Sequence, residues 1–229
     1  MVGNLGNIGN KNYVAVIGDI VDSRNIKNRE EVQLILKDTL SLINEKYQED
    51  IASKFIITLG DEFQGLLSDG ARVINIINEI EDKIYPIKLR FGIGIGSIST
   101  EINPVLSLGA DGPAYHIARD MIENLKKSEK RTKVGNQNIM ISTQDNNTDI
   151  IRLLNTLFLM CSTLKSKWSD RQREIISAYK ESDFSQIKAA QKLGIKQSSV
   201  NKGLINAGYY SFQNALETAA STLPNIGMW

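Results

Sequence analysis

Hydrophobic positions recur along this chain with two different periods, and the change from one to the other divides it. Tyr13–Val21 (YVAVIGDIV) is a β-branched apolar run bounded by polar residues, which predicts a buried central strand leaving through Asp19 towards Arg24. Helical spacing follows from about Glu30 to Tyr47, with Val32, Leu34, Ile35, Leu36, Leu40, Leu42 and Ile43 on its apolar side. Lys54–Leu59 and Phe63–Leu67 return to an extended pattern, so Gly60, Asp61 and Glu62 fall at the tip of a hairpin. A second helix is predicted over Ala71–Ile84, ended by Pro86, and the strand Ile87–Ile98 comes next. In it Phe91, Ile93 and Ile95 face one way while Gly92, Gly94 and Gly96 leave the other face without side chains.

The helix Ala114–Lys126 and the strand Ile139–Ser142 complete a β-α-β-β-α-β order with additions. That order predicts an α+β fold, a ferredoxin-like sheet with helices on one face. From Thr148 the pattern is wholly helical, and the apolar stripe from Ile150 to Leu164 is wide enough for a buried connector. Ser169 and Gln172 have capping-box spacing, opening a new helical unit at Arg171–Tyr179. Phe184–Leu193, Gly194 in a turn and Gln197–Ala207 then read as helix, turn, helix, with Ala190 at the close contact and Val200 anchoring the second helix. The expected organisation is an α/β domain over 1–147, a helical connector over 148–168 and a small all-α helix-turn-helix domain over 169–229.

Charge sharpens this division. The total is +1, yet residues 1–149 carry 17 Lys and Arg against 21 Asp and Glu, while residues 150–229 carry 10 against 5. A basic C-terminal part suits a polyphosphate partner, and an asymmetry of this size also arises without function. The single cysteine, Cys161, lies in an apolar run and reads as a small buried hydrophobe. The Gly- and Asn-rich opening Met1–Asn12 has no signal-peptide pattern, and no stretch reaches the roughly 18 apolar residues of a membrane span, so a soluble cytoplasmic protein is expected.

Two carboxylate-bearing turns are the candidate chemistry. Asp19 ends the first strand and Asp61 sits in the hairpin beside it; such a pair can hold a divalent ion that neutralises phosphate charge, with Asp22 and Glu62 as helpers. Asp22 capping the next segment and Asp61 simply making its turn explain the same residues. The bare face of Gly92, Gly94 and Gly96 admits either a ligand or a closely packed helix. Arg119 is placed to grip a phosphate through its planar fork, or to be an ordinary surface arginine. His116, the only histidine, reads as a satisfied structural residue.

These segments resemble a known superfamily. Gly18-Asp19-Ile20-Val21 is similar to the metal-binding first strand of class III nucleotide cyclases, and Thr58-Leu59-Gly60-Asp61-Glu62-Phe63 to both their Gly-Asp hairpin and the GGDEF signature of diguanylate cyclases. Leu89–Gly96 followed by Gly112–Arg119 resembles the later cyclase strand and the helix carrying a transition-state arginine. The likeness covers roughly 13–142 and implies a cyclase palm, with Asp19 and Asp61 as ligands of Mg²⁺ or Mn²⁺, Gly60, Glu62, Gly94 and Gly96 against a nucleotide, and Arg119 as a catalytic arginine. The chain departs from the pattern at Leu59, where diguanylate cyclases have a second Gly, at Tyr115, where cyclases carry an asparagine, and at Ile57, where adenylyl cyclases often carry a base-selecting lysine. The whole chain is similar to the SatD family, associated with bacterial acid tolerance.

The C-terminal unit resembles the region-four-like domains of sigma factors. That likeness makes Lys196, Gln197, Ser198, Ser199, Asn201 and Lys202 the start of a recognition helix, with Lys for phosphates and Gln or Asn for adenine edges. A helical packing module uses the same apolar framework. The combined expectation is a homodimeric DNA-binding regulator whose palm binds a divalent ion and a nucleoside triphosphate. The alternatives are an active nucleotidyl cyclase or nucleotidyltransferase, and a degenerate palm domain that only supports assembly.

Overall fold

A computed structural model describes residues 11–131, 137–144 and 148–226. The Gly- and Asn-rich opening up to Asn10 lies outside the described residues. Five strands form one sheet: β1 (Tyr13–Ile20), β2 (Ile51–Leu59), β3 (Glu62–Leu67), β4 (Leu89–Gly96) and β5 (Ile139–Thr143). Their order is β2-β3-β1-β4-β5, with β1 antiparallel to both neighbours and β5 parallel to β4. The first four strands thus have ferredoxin-like order, as their succession predicts, and β5 extends it through a helical crossover.

The placement of the helices departs from the expectation of one covered face. α1 (Arg29–Lys46) and α2 (Val73–Ile84) cover the face carrying Val14, Val16, Phe63, Phe91 and Ile93, whereas α3 (Pro113–Arg131) packs on the opposite face against Ala15, Ile17 and Leu66. The reason is the crossover. A parallel β4–β5 pair needs a connecting helix that returns over the sheet, and the glycine row of β4 gives α3 a smooth bed. A Cβ built on Gly92 would overlap the carbonyl oxygen of Ala118, and one on Gly94 would overlap that of Ala114 while lying 2.6 Å from the amide nitrogen of Ala118. Helix packing accounts for both glycines.

The rest of the chain is helical: α4 (Thr148–Ser166), α5 (Asp170–Glu181), α6 (Gln186–Leu193), α7 (Gln197–Asn206) and α8 (Tyr209–Thr222). α4 covers the outer edge of the sheet, where the Asn155 amide both accepts from the N–H of Ile141 and donates to its carbonyl, each at 2.9 Å. Edge backbone that would template another strand is thereby satisfied. The expected buried connector is only half buried: Leu154, Phe158 and Cys161 point inward, and Leu153 and Met160 are exposed. One continuous apolar cluster runs from Val14 and Val16 through α2 and α4 to Phe212 and Leu223.

Ser169 caps α5 with both capping-box hydrogen bonds present, its hydroxyl accepting from the amide of Gln172 and its own amide donating to the Gln172 side chain. Replacing Ser169 by Ala is expected to cost about 1 kcal/mol, read as a lowered midpoint in urea. The next two helices meet at Gly194, whose positive φ of 63° closes α6 before α7 begins, with Ala190 and Val200 buried between them.

Candidate functional site

Strand alternation brings the charged residues of interest to one face. On β1, Asp19 shares the α3-facing side with Ala15 and Ile17, and it stands opposite Glu62 of β3 and Arg90 of β4. Asp61 occupies the β2–β3 turn, which Gly60 makes possible with φ 58°. That turn is tied down twice: the Gln33 side chain donates to the Gly60 carbonyl at 2.7 Å, and the amide of Ile20 donates to the Asp61 carbonyl at 3.1 Å. The Ser23 hydroxyl donates to the Asp61 carboxylate. The Ile20 bond to the Asp61 carbonyl sets this turn beside the end of β1 that carries Asp19.

Asp19 is buried and doubly paired. Its Oδ2 lies 2.8 Å from Nη1 of Arg90 and 3.4 Å from Nζ of Lys126. Burial pushes the Asp19 carboxyl above its ordinary range; the Lys126 and Arg90 charges oppose that shift, and Asp61 adds to it. Arg90 is itself buried, with Nη2 at 3.4 Å from Glu129 and with no hydrogen-bond partner at Nε. The expectations from sequence included neither Arg90 nor Lys126. Arg90 was legible: it lies two residues before Gly92, on the same face of a buried strand, where only a charge partner makes an arginine tolerable.

The other expected residues are placed as follows. Arg119 is 56% exposed and 3.6 Å from Glu62, on the side of α3 that also carries Glu123 and Lys126. Gly94 lies beneath α3, and a Cβ on Gly96 would meet the Gln144 side chain at 3.0 Å. Tyr115 is buried between α3 and the sheet, where desolvation raises its hydroxyl pKa and the hydroxyl has no hydrogen-bond partner. His116 is exposed and pairs with Asp111 at 2.7 Å. Asp22 has positive φ and no side-chain capping bond. Among the described residues no group of three or more His, Cys, Asp or Glu could by itself hold a metal ion.

In the C-terminal helices, Lys196, Gln197, Ser198, Ser199 and Lys202 are exposed along the start of α7, and Asn201 is half-buried. Gln186 links Gln197, Asn201 and Tyr210, accepting from the first and donating to the other two. No helix among the described residues is long and apolar enough to cross a membrane.

The sequence model of the SatD family matches residues 13–223. The chain belongs to the SatD family. Among solved structures, this SatD-family chain is similar to the catalytic core of a rhodopsin-guanylyl cyclase with converted specificity in complex with ATPαS, at 17% identity over 49% of this chain and 71% of that one, TM-score 0.40. It is also similar to the guanylate cyclase domain of RhGC from Catenaria anguillulae in complex with GTP, at 18% identity over 48% and 71%, TM-score 0.36. A bacterial light-regulated adenylyl cyclase aligns at 15% identity over 57% of this chain and 43% of that one, TM-score 0.40. No curated protein matches the chain.

Proposed function

We propose that this SatD-family chain is a DNA-binding regulator whose palm takes up a nucleotide together with a divalent ion. The observation that carries the reading is the surface of α7. Its first turn is exposed and holds no acidic residue, and no side chain caps it, leaving amide N–H groups and Lys196 free to meet phosphate. Among the described residues no ion pair engages Lys196 or Lys202, whereas the nearby Lys188 and Lys192 are paired with Asp183 and Glu181. One such unit reads a half-site, so a homodimer is the working form.

At the palm, Asp19 and Asp61 would hold Mg²⁺ or Mn²⁺, with Gly60 and Glu62 beside the nucleotide. When bound, the ion supplies neutralisation of polyphosphate charge. A polar joint gives the two ends a common framework. β4 receives the Asn138 carbonyl at the amide of Phe91, 2.7 Å away, and the Asn138 side chain bonds to Glu81 of α2 and to Ser162 of α4. Lys165 pairs with Glu81 at 3.0 Å, Arg173 donates to the Lys165 carbonyl at 2.6 Å, and Lys180 pairs with Asp82 at 2.6 Å. Movement of β4 on nucleotide binding would reach α4 and α5 through these contacts, and α6 and α7 pack on α5.

Binding to duplex DNA, followed by fluorescence anisotropy across a salt series, tests this. The joint Lys196→Ala and Lys202→Ala variant is expected to reduce the slope of log K against log salt by about 2. Magnesium with a nucleoside triphosphate is expected to change the affinity of the wild type and not that of Asp61→Ala. An unchanged slope would sink the DNA reading.

A second reading, an active nucleotidyl cyclase or nucleotidyltransferase, is favoured by Arg119. It is more than half exposed and held only loosely by Glu62, which leaves its guanidinium available to a transferred phosphoryl group. A product formed from a nucleoside triphosphate by the wild type and not by Arg119→Ala would establish it.

A further inference from the structure

We infer that Lys126 is the resident counter-ion of Asp19 that a divalent cation must displace, so that this lysine sets the metal affinity of the carboxylate pair. The inference rests on the reading of Asp19 and Asp61 as metal ligands.

The two cations on Asp19 are built differently. Arg90 springs from the middle of the sheet, its side chain is only 10% exposed, and Glu129 holds its other nitrogen, so it is a fixed part of the face. Lys126 reaches Asp19 from α3, is 34% exposed and sits at 3.4 Å, longer than the 2.8 Å of the arginine. Its ammonium is equally 3.4 Å from Glu123, three residues earlier on the same helix. Lys126 therefore has a second place to rest. A compact ammonium on a flexible four-carbon stem can move between two carboxylates in a way that a planar guanidinium packed in a strand cannot.

Both cations sit on Oδ2 of Asp19, so a divalent ion bound at roughly 2.0–2.6 Å from either oxygen of that carboxylate stands within a few ångströms of them, and of the two only Lys126 is able to withdraw. Two like charges so close repel strongly in a half-buried setting. Metal uptake at Asp19 is therefore an exchange: the ion arrives, and Lys126 leaves for Glu123 or for an incoming anion. Affinity for the bare ion is low in the free chain. An anion that attracts Lys126 away from Asp19 raises it, and by thermodynamic reciprocity the metal ion raises the affinity for that anion.

Titration with Mn²⁺ alone, read by the paramagnetic signal of the free ion, tests the inference on the full chain, with circular dichroism confirming that each variant is folded. Lys126→Gln is expected to bind Mn²⁺ about tenfold more tightly than the wild type. Glu123→Gln removes the alternative resting place and is expected to bind it more weakly, while Asp61→Asn loses the site. If the wild type binds Mn²⁺, Asp61→Asn abolishes binding and Lys126→Gln leaves the affinity unchanged or weaker, the role of Lys126 is overturned and the metal reading survives. If neither the wild type nor Lys126→Gln binds Mn²⁺ at millimolar concentration, the metal reading falls and the inference falls with it.

Discussion

Gly94→Val is expected to destabilise the chain by about 3 kcal/mol, lowering Tm by roughly 6–12 °C for a protein of this size. Two effects oppose each other at this position. Valine suits a strand and removes the backbone freedom of glycine from the unfolded chain, gains worth up to about 1 kcal/mol. Against them, its Cβ would overlap the Ala114 carbonyl oxygen and lie 2.6 Å from the Ala118 nitrogen, both backbone atoms of α3. Backbone within a helix cannot rotate aside as a side chain does, so α3 must lift off β4. The clash wins. Gly96→Val is the milder case for comparison: its Cβ would lie 3.0 Å from the end of the Gln144 side chain, which can move, and 3.2 Å from the Ala114 amide nitrogen, a smaller conflict than the overlap at Gly94. A loss of about 1 kcal/mol is expected there. Thermal melts of the two variants distinguish helix packing from ligand approach. If Gly94→Val keeps the wild-type Tm and instead weakens nucleotide binding, the glycine row serves the ligand.

The same row shows how far the chain could be read without its structure. Alternation of Phe91, Ile93 and Ile95 with the glycines marked β4 as buried on one face and bare on the other, and both features hold. Alternation alone cannot say whether a bare face meets a helix or a ligand, because a missing side chain is compatible with either. The parallel β4–β5 pairing decides it by drawing α3 across that face, and pairing direction is a long-range property that local pattern does not carry. The hairpin carrying Asp61 was legible for the opposite reason: Gly-Asp between two short apolar runs is a local signal.

Arg90 and Lys126 mark a different limit. The first strand offered carboxylates with an obvious possible task, and attention to like residue types passes over the cations that neutralise them. Arg90 meets Asp19 across 71 positions of sequence, and Lys126 comes from a helix that was expected on the other side of the sheet. Composition alone overstates the burial of α4. Its apolar stripe is continuous in sequence, yet only the side bearing Leu154, Phe158 and Cys161 finds the core, against β5 and α8, while Leu153 and Met160 stay exposed. The helices α5 and α6 follow their capping and turn residues closely, since Ser169 and Gly194 act within a single turn.

Removing the Asp19 carboxylate has a structural effect that any functional assay must separate from metal binding. Asp19→Ala is expected to lose about 3 kcal/mol of stability, the lower end of what breaking a buried ion pair costs. The loss arises because Arg90 stays in place, nine-tenths buried, with only the half-exposed Glu129 to answer its charge and with Nε already unpartnered. Asp19→Asn keeps an oxygen that can accept from Arg90 Nη1 and is expected to lose about half as much. Replacing both members, Asp19→Leu with Arg90→Met, removes the orphaned charge, so the double variant should be more stable than Asp19→Leu alone, and the cycle of wild type, Asp19→Leu, Arg90→Met and the double variant should show coupling of about 1 kcal/mol or more, within the roughly 0.5–3 kcal/mol seen for residues in contact. Urea unfolding of the four proteins measures this, and strict additivity would mean that Lys126 rather than Arg90 balances Asp19. Asp61 is half-buried and held by one hydroxyl, so its removal should cost no more than about 1 kcal/mol. Asp61 is therefore the position at which loss of metal can be read without loss of the fold.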